Sequence, residues 1–324
     1  MDIDLVIRER KSAVLKTGTF GCLKGMPTIN VTMGCLIGCA YCYARAYPGV
    51  RDQRGVVLFS NLVEKLDREL SRRRKPVHCV LFNTSSDSFQ PHPDIINTSL
   101  SLMEFLLDRG ISLSFLTKGK IPDRFYEMAS RAPGRISPRI GIVSISQEYQ
   151  RIFEPRAATP TERLRAIERL CEAGMRPEAR IDPVIPFVTD SKKDLDLLFQ
   201  RLGERGVKRA AISYLHLRPH IFEHLGKSLS PLHQKLIEGA FFPSGWGQIG
   251  SSSMTKLIPR PIRLRGYERA REAADRYGVS LALCRCKNPD IESVSCMNGI
   301  SPCGLQIGEE GRQLDLSFIG NKSY

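Results

Sequence analysis

The chain has 324 residues, 42% of them hydrophobic and 25% charged, with a formal charge of +14 from 48 Lys and Arg against 34 Asp and Glu. These proportions exclude a collagen-like, coiled-coil or disordered chain, and the length suffices to bury a core without staples. No apolar run approaches the ~18 residues needed to cross a bilayer, and the opening MDIDLVIRERK lacks the apolar stretch of a signal peptide. A cytoplasmic location with no membrane partner is expected. There, ten cysteines serve more readily as ligands, nucleophiles or core residues than as disulfides.

In chain order, patterning predicts a buried strand over 28–34 (TINVTMG) that ends in the loop G-Cys35-L-I-G-Cys39-A-Y-Cys42-Y. A strand over 77–83 and a helix over 95–110, stopped at Gly110, come next. Strands over 112–118, 139–146, 175–186 and 207–215 continue the series, and amphipathic helices over 160–174 and 192–206 separate the last three. Pro160 suits the first turn of its helix. Alternation of this kind predicts an α/β fold with a parallel sheet and right-handed crossovers. Past 225 the order loosens: FFPSGWGQIGSSSM (241–254) reads as a loop, followed by a helix near 261–277 and a short strand VSLALC. We divide the chain into an N-terminal segment (1–27), a β/α unit (28–225) and a cysteine-bearing C-terminal extension packed on it (226–324).

The cysteines fall into groups. Cys79, in an apolar run, and Cys171, on a helix face, read as core filler; Cys22 has no assignment. Cys35, Cys39 and Cys42 have C-x3-C-x2-C spacing. Three thiolates on one short loop can hold three irons of a [4Fe–4S] cube and leave the fourth iron open, whereas an electron-transfer cluster uses four cysteines. Zinc would lack a local fourth ligand, since no histidine lies within thirty residues. Cys284, Cys286, Cys296 and Cys303 form a second set on irregular backbone, with two readings: an auxiliary [4Fe–4S] cluster, which we favour, or a zinc clip.

The first loop, with the aromatic Tyr43 behind it, resembles the signature of the radical S-adenosylmethionine (SAM) superfamily. SSDSFQP (85–91), LTKGK (116–120), FEPRAATPTERLRAIERLCEAGM (153–175), ARIDPVIP (179–186) and LHLRPHIFEHL (215–225) are similar to the spore photoproduct lyase-like branch, so the resemblance spans about 20–283. It implies a partial (β/α)6 barrel followed by the cysteine-rich extension. It also implies an enzyme that binds SAM at the open iron of a [4Fe–4S] cluster and takes an electron from a protein such as flavodoxin or ferredoxin. Cleavage of SAM would then yield a 5′-deoxyadenosyl radical that abstracts hydrogen from a substrate. In SAM binding, the resemblance assigns Tyr41 and Tyr43 to adenine, and Ser85 and Ser86, in place of a glycine-rich loop, to the amino group. Lys118 falls to the carboxylate, and Ser146 and Arg180 to ribose or carboxylate. Where the lyase carries its hydrogen-donating cysteine this chain has Thr84, whose O–H bond is too strong for that role, so lesion repair by the lyase route is not expected.

Three features remain. His216, His220 and His224 are spaced i, i+4, i+8, but Pro219 interrupts any shared helix, which favours packing or substrate contact over metal. Glu154 and Arg156 precede a helix and read either as a turn or as site contacts. Residues 256–276 hold seven Lys and Arg against three Asp and Glu, a local +4 expected to border the barrel mouth and to favour a nucleic acid as substrate. A small-molecule or peptide substrate, or a non-catalytic Fe–S or zinc protein that binds nucleic acid, are the alternatives.

Overall fold

The computed structural model describes residues 5–19, 21–46, 50, 55–248 and 254–291. Seven parallel strands, adjacent in chain order, form a curved sheet: β1 (Pro27–Ile29), β2 (Cys79–Phe82), β3 (Ser112–Thr117), β4 (Ile136–Gly141), β5 (Glu178–Val184), β6 (Arg209–Tyr214) and β7 (Ser280–Leu283). The partial β/α barrel expected from the sequence is therefore present, with one strand more than expected. β7 pairs with β6 in register Arg209↔Ser280, so the C-terminal extension supplies a strand of the barrel sheet and is more than an appendage. The N-terminal segment is likewise built in. Lys16–Thr17 pairs antiparallel with β1 at the opposite edge, and Leu5–Arg8 joins Val56–Phe59 and Thr32–Met33 in a small second sheet.

Helices α1 (Leu62–Ser71), α2 (Pro93–Asp108), α3 (Asp123–Ser130), α4 (Gln147–Phe153), α5 (Pro160–Glu172) and α6 (Lys192–Glu204) connect the strands as far as β6, and α7 (Pro219–Gly226), α8 (Pro231–Phe241) and α9 (Arg260–Arg276) lead on to β7. Local chemistry fixes their starts. α5 opens with Pro160 behind a capping box in which Thr159 and Glu162 satisfy each other's backbone N–H groups. Ser191 caps α6 by accepting from the Asp194 N–H. Along each strand one face meets helices and the other the barrel interior. In β5, Ala179 and Ile181 join the main core, while Glu178, Arg180 and Asp182 alternate with them on the inner face. Phe89, Phe115 and Phe125 meet edge to face at 5.3–5.5 Å, each pair contributing about 0.5–1.5 kcal/mol, and fasten the loop after β2 to β3 and α3.

The predicted loop over 241–254 contains a short antiparallel pair, Gly247–Gln248 with Met254–Thr255. Pro219 begins α7, which separates His216 from His220 and His224. His216 instead bonds the Lys287 carbonyl through Nε2 at 2.9 Å, and burial, with Lys287 adding to it, lowers its pKa to about 4. No helix of the described residues is long and apolar enough to cross a membrane.

Candidate functional site

The strand expected over 28–34 ends early. β1 stops at Ile29, and Thr32–Met33 turns into the small sheet, so the cysteine loop leaves the C-terminal end of β1, where β/α barrels build their sites. Backbone bonds that leave the thiols uninvolved hold the loop. The Leu36 N–H donates to Gln90 Oε1 at 2.7 Å, and Gln90 Nε2 donates to Thr32 Oγ1 and the Asp87 carbonyl, both at 2.9 Å. Arg156 Nε donates to the Leu36 carbonyl at 2.6 Å, and the Ala40 N–H donates to the Phe153 carbonyl at 2.8 Å. Gly38 has φ 74°, and a Cβ there would press on Arg156 Nη2 at 3.2 Å, so this turn requires glycine on both counts.

Beneath the loop lies a buried trio. Tyr41 donates its hydroxyl to Glu154, which also pairs with Arg163, and all three are at most 6% exposed. Arg163 further donates to the Ala158 and Gly141 carbonyls at 2.8 Å. Burial and the adjoining carboxylate keep the Tyr41 phenol protonated well above its ordinary range. Glu154 and Arg156 are therefore the clamp of the cysteine loop, combining the turn and the site contact that the sequence left as alternatives.

Asp87 ties the end of β2 to the end of β3. Its Oδ1 accepts from the Phe89 N–H at 2.9 Å and Thr117 Oγ1 at 2.7 Å, and its Oδ2 accepts from the Lys118 N–H at 2.7 Å. Burial raises this carboxyl against the pull of those donors. Ser85 is anchored to Asn30 Oδ1 through both N–H and hydroxyl at 2.9 Å, and the Ser86 hydroxyl leans on Asn83 Oδ1 at 3.3 Å. The Lys118 side chain crosses Gly141, where a Cβ would meet its Cγ at 2.8 Å and Nζ at 3.1 Å. Its ammonium lies 5.6 Å from the Tyr41 ring centroid and 3.5 Å from the Asp182 carbonyl.

The other predicted contacts are placed as follows. Tyr43 donates to the Thr84 carbonyl at 2.6 Å, and the Arg218 guanidinium lies 5.7 Å from its ring centroid. Ser146 caps α4 by accepting from the Tyr149 N–H at 3.2 Å. Arg180 reaches Glu178 at 3.3 Å and Asp182 at 3.8 Å. Lys287, which sequence reasoning did not single out, donates to both oxygens of Asp182 at 2.7 and 2.6 Å. Burial would raise the Asp182 carboxyl, but Lys287 and Arg180 outweigh it and hold it below the usual range.

Cys35, Cys39 and Cys42 are all free and half-buried. Burial first, then Asp87 and the other two thiols, pushes Cys35 well above its ordinary value. Burial and Glu154 push Cys39 up to about 12, with Lys118 opposing. Three crowded thiols in such surroundings gain most from a thiophilic cationic centre that takes them as thiolates, and this donor set fits a [4Fe–4S] cluster. In the second set, Cys284 is buried and Cys286 half-buried, while Cys296 and Cys303 lie outside the described residues. Cys171 is free and half-buried. Cys79, read as core filler, is buried beside Leu81 but is disulfide-bonded.

Part of the basic stretch stands at the expected end of the barrel: Lys256 pairs with Leu217 just past the C-terminal end of β6, and Arg263 reaches Asn288 and Asp290 past that of β7. α9 packs on α6 and β7, and three of its arginines are ion-paired: Arg263 with Asp290, Arg269 with Asp190 at 3.5 Å and Arg276 with Asp196. A different set of cations stands beside the cysteine loop. The turn Tyr43–Ala46 that follows Cys42 packs against α7, which brings Arg45, Arg218 and Lys227 together. Arg45 and Lys227 add to burial in lowering the His224 pKa between them.

A sequence model of the radical SAM superfamily matches residues 29–199. An uncharacterised protein of Mycobacterium tuberculosis is 26% identical over 276 residues, covering 80% of this chain and 81% of its own length. A protein of Pseudomonas phage M6 described as a radical SAM Nalpha-GlyT isomerase is 24% identical over 257 residues, covering 77% of this chain and 51% of its own length. Among solved structures, spore photoproduct lyase complexed with a dinucleoside spore photoproduct superposes with a TM-score of 0.66 at 17% identity, over 86% of this chain and 81% of that one. A radical SAM methyltransferase from Sphaerobacter thermophilus does so with a TM-score of 0.50 at 14% identity, over 80% and 66%.

Proposed function

This chain belongs to the radical SAM superfamily and is an enzyme of SAM-dependent radical chemistry, and from that premise we propose that it abstracts a hydrogen atom from a nucleic acid or nucleotide-like substrate. A [4Fe–4S] cluster with SAM, when bound, supplies the reductive cleavage that generates the 5′-deoxyadenosyl radical. In this reading Cys35, Cys39 and Cys42 hold the cluster, and the Lys118 ammonium, a point charge beside the loop, binds the SAM carboxylate. Ser85 and Ser86 offer hydroxyls in place of a glycine-rich loop, Tyr43 offers a ring face and Arg180 a guanidinium. Ser146 serves mainly as a helix cap, and Tyr41 supports the loop from below. An electron carrier of the flavodoxin or ferredoxin kind delivers the electron, in the cytoplasm. Cys284 and Cys286 belong to a second, metal-binding centre.

The Lys118 side chain lying over Gly141 gives a direct test of the Lys118 assignment. In Gly141→Ala the new methyl would meet flexible side-chain atoms of Lys118, which must swing aside. The expected result is a KM for SAM raised about tenfold, equivalent to ~1.4 kcal/mol, with little change in Tm. An unchanged KM would remove Lys118 from SAM binding.

The observation that supports the substrate class is a set of cations beside the cysteine loop: Arg218 lies 5.7 Å from the centroid of the exposed Tyr43 ring, and Arg45 and Lys227 act on His224 of α7. Cations beside an aromatic face suit a phosphate backbone with an unstacked base. A solved structure of the same fold holds a dinucleoside photoproduct, which is consistent with such a ligand. Binding of duplex DNA should weaken steeply with salt. If both side chains contact phosphate, Arg45→Glu with Arg218→Glu should reduce the slope of log K against log salt by roughly 1.8. An affinity that ignores salt, or the double variant, would favour a small-molecule or peptide substrate instead.

A further inference from the structure

The polar interior of the barrel holds two lysines in opposite situations. Lys287 lies in the short turn Arg285–Lys287 that follows β7. Its N–H donates to the Cys284 carbonyl at 3.0 Å, and its own carbonyl bonds His216 Nε2 at 2.9 Å. Asn288, 1% exposed, closes the turn by donating to the Cys284 carbonyl at 3.0 Å and is itself held by Tyr267 and Arg263. From this fixed base the Lys287 ammonium passes Ser213 of β6, 3.4 Å away, and reaches both carboxylate oxygens of Asp182 on β5 at 2.7 and 2.6 Å. An ammonium has three hydrogens, and these three oxygens take them all. Lys287 therefore has no donor left for a ligand.

Lys118 is the open one. Among the described residues its ammonium has one hydrogen-bond partner, the Asp182 carbonyl at 3.5 Å, and no carboxylate within ion-pairing distance. Two acids adjoin it, and both are engaged elsewhere. Asp87 accepts from the Phe89 N–H, Thr117 Oγ1 and the Lys118 backbone N–H. Asp182 is the residue whose carbonyl Lys118 already touches, so rotation of its side chain would carry a carboxylate to the same ammonium. In a partly buried site opposite charges a few ångströms apart attract far more strongly than in water. Arg180 is a weaker restraint on Asp182, standing 3.8 Å from it and 3.3 Å from Glu178. The cation that keeps the Asp182 carboxylate in place is Lys287.

We propose that Lys287 is a positioning residue for SAM binding: by occupying the Asp182 carboxylate it keeps that carboxylate off Lys118 and leaves the Lys118 ammonium open to the carboxylate of SAM. The inference rests on the assignment of Lys118 to that carboxylate. Two ammonium groups then divide two carboxylates between them, one belonging to the chain and one to the ligand. Lys287 acts through Asp182 and touches no ligand. The C-terminal extension thereby gains a part in the site, because β7 and its turn deliver a cation across β6 to an acid on β5.

The measurement is the Kd of SAM for anaerobically reconstituted full-length protein, by equilibrium dialysis without reductant so that no SAM is cleaved. Lys118→Met should weaken binding about tenfold or more, through loss of a charge-assisted hydrogen bond. Lys287→Gln should weaken it about tenfold, because Asp182 then pairs with Lys118. Adding Asp182→Asn to Lys287→Gln should bring the Kd back to within about threefold of the unmodified protein, a coupling between the two positions that a merely structural role for the pair would not give. An unchanged Kd in Lys118→Met would overturn the Lys118 assignment and this inference with it. A weakened Lys118→Met beside an unchanged Lys287→Gln, or beside a double variant as weak as Lys287→Gln, would overturn the inference alone. In case Lys287→Gln does not fold, the double variant, which leaves no charge at position 182 to compensate, still decides. Retained affinity there supports the proposal, and a tenfold loss would mean that the Lys287 charge itself is needed for binding and would equally overturn it.

Discussion

Alanine at Cys35, Cys39 or Cys42 is expected to abolish 5′-deoxyadenosine formation by reconstituted, dithionite-reduced protein while leaving the fold intact. The two halves of this expectation have separate physical grounds. Catalytically, in the proposed reading each thiolate would be the sole protein ligand available to its iron on a three-cysteine loop, so no substitution would be compensated locally. Structurally, the loop is held through the Leu36 N–H and carbonyl, the Ala40 N–H and the turn at Gly38, none of which involves a thiol. Thermal unfolding of apo protein should therefore move little for each variant. Activity retained in any of them would take that cysteine out of the cluster, and a collapsed apo protein would mean that the loop depends on its thiols for shape.

The second large effect is expected at Glu154. Glu154→Gln removes the charge that faces Arg163 while keeping the shape, and leaves a guanidinium only 3% exposed without its counter-ion. Breaking one side of a buried pair typically costs ~3–5 kcal/mol. At roughly 2 °C of Tm per kcal/mol for a chain of this size, apo protein should melt about 6–10 °C lower. The Tyr41→Phe variant loses a single buried hydrogen bond and should cost only about 1–3 kcal/mol. The readout that separates a clamp from mere stability is iron content. Because α4 and the turn after it hold the loop at Ala40 and Leu36, Glu154→Gln should also retain less iron at a temperature where it is fully folded. Full iron content with a lowered Tm would make the trio a core element without a role in shaping the loop.

Much of this was legible in one dimension. The strand–helix alternation predicted the parallel barrel because buried strands and one-sided helices carry different periods, and each period is local. The three-cysteine loop was legible because its thiols are close in sequence. Pro160 at the opening of α5 was legible for the same reason, since its fixed backbone acts within a single turn. Glu154 and Arg156 were visible as polar residues before a helix. Their partners Tyr41, Arg163 and Leu36 are distant in sequence, however, and nothing local chooses between a turn and a clamp.

The basic stretch over 256–276 shows the limit in the other direction. A dense run of arginines reads as a phosphate track when only its own charges are counted. In the fold α9 packs on α6 and β7, and Asp190, Asp196 and Asp290, each from another segment, pair with three of its arginines. The cations beside the cysteine loop come from two segments with no charge run at all, because Arg45 and Arg218 meet only when α7 packs on the turn after Cys42.

By itself, then, the sequence determined the class of fold and the chemistry of the first cysteine loop, since periodicity and short-range spacing are properties of the chain alone. Only the tertiary structure decided that the C-terminal part gives the barrel its seventh strand, that Glu154 clamps the loop, and that Cys22 packs beside Cys284 and Cys286. Those facts depend on the curvature that brings the two edges of the sheet together, and curvature is set by packing between residues hundreds of positions apart.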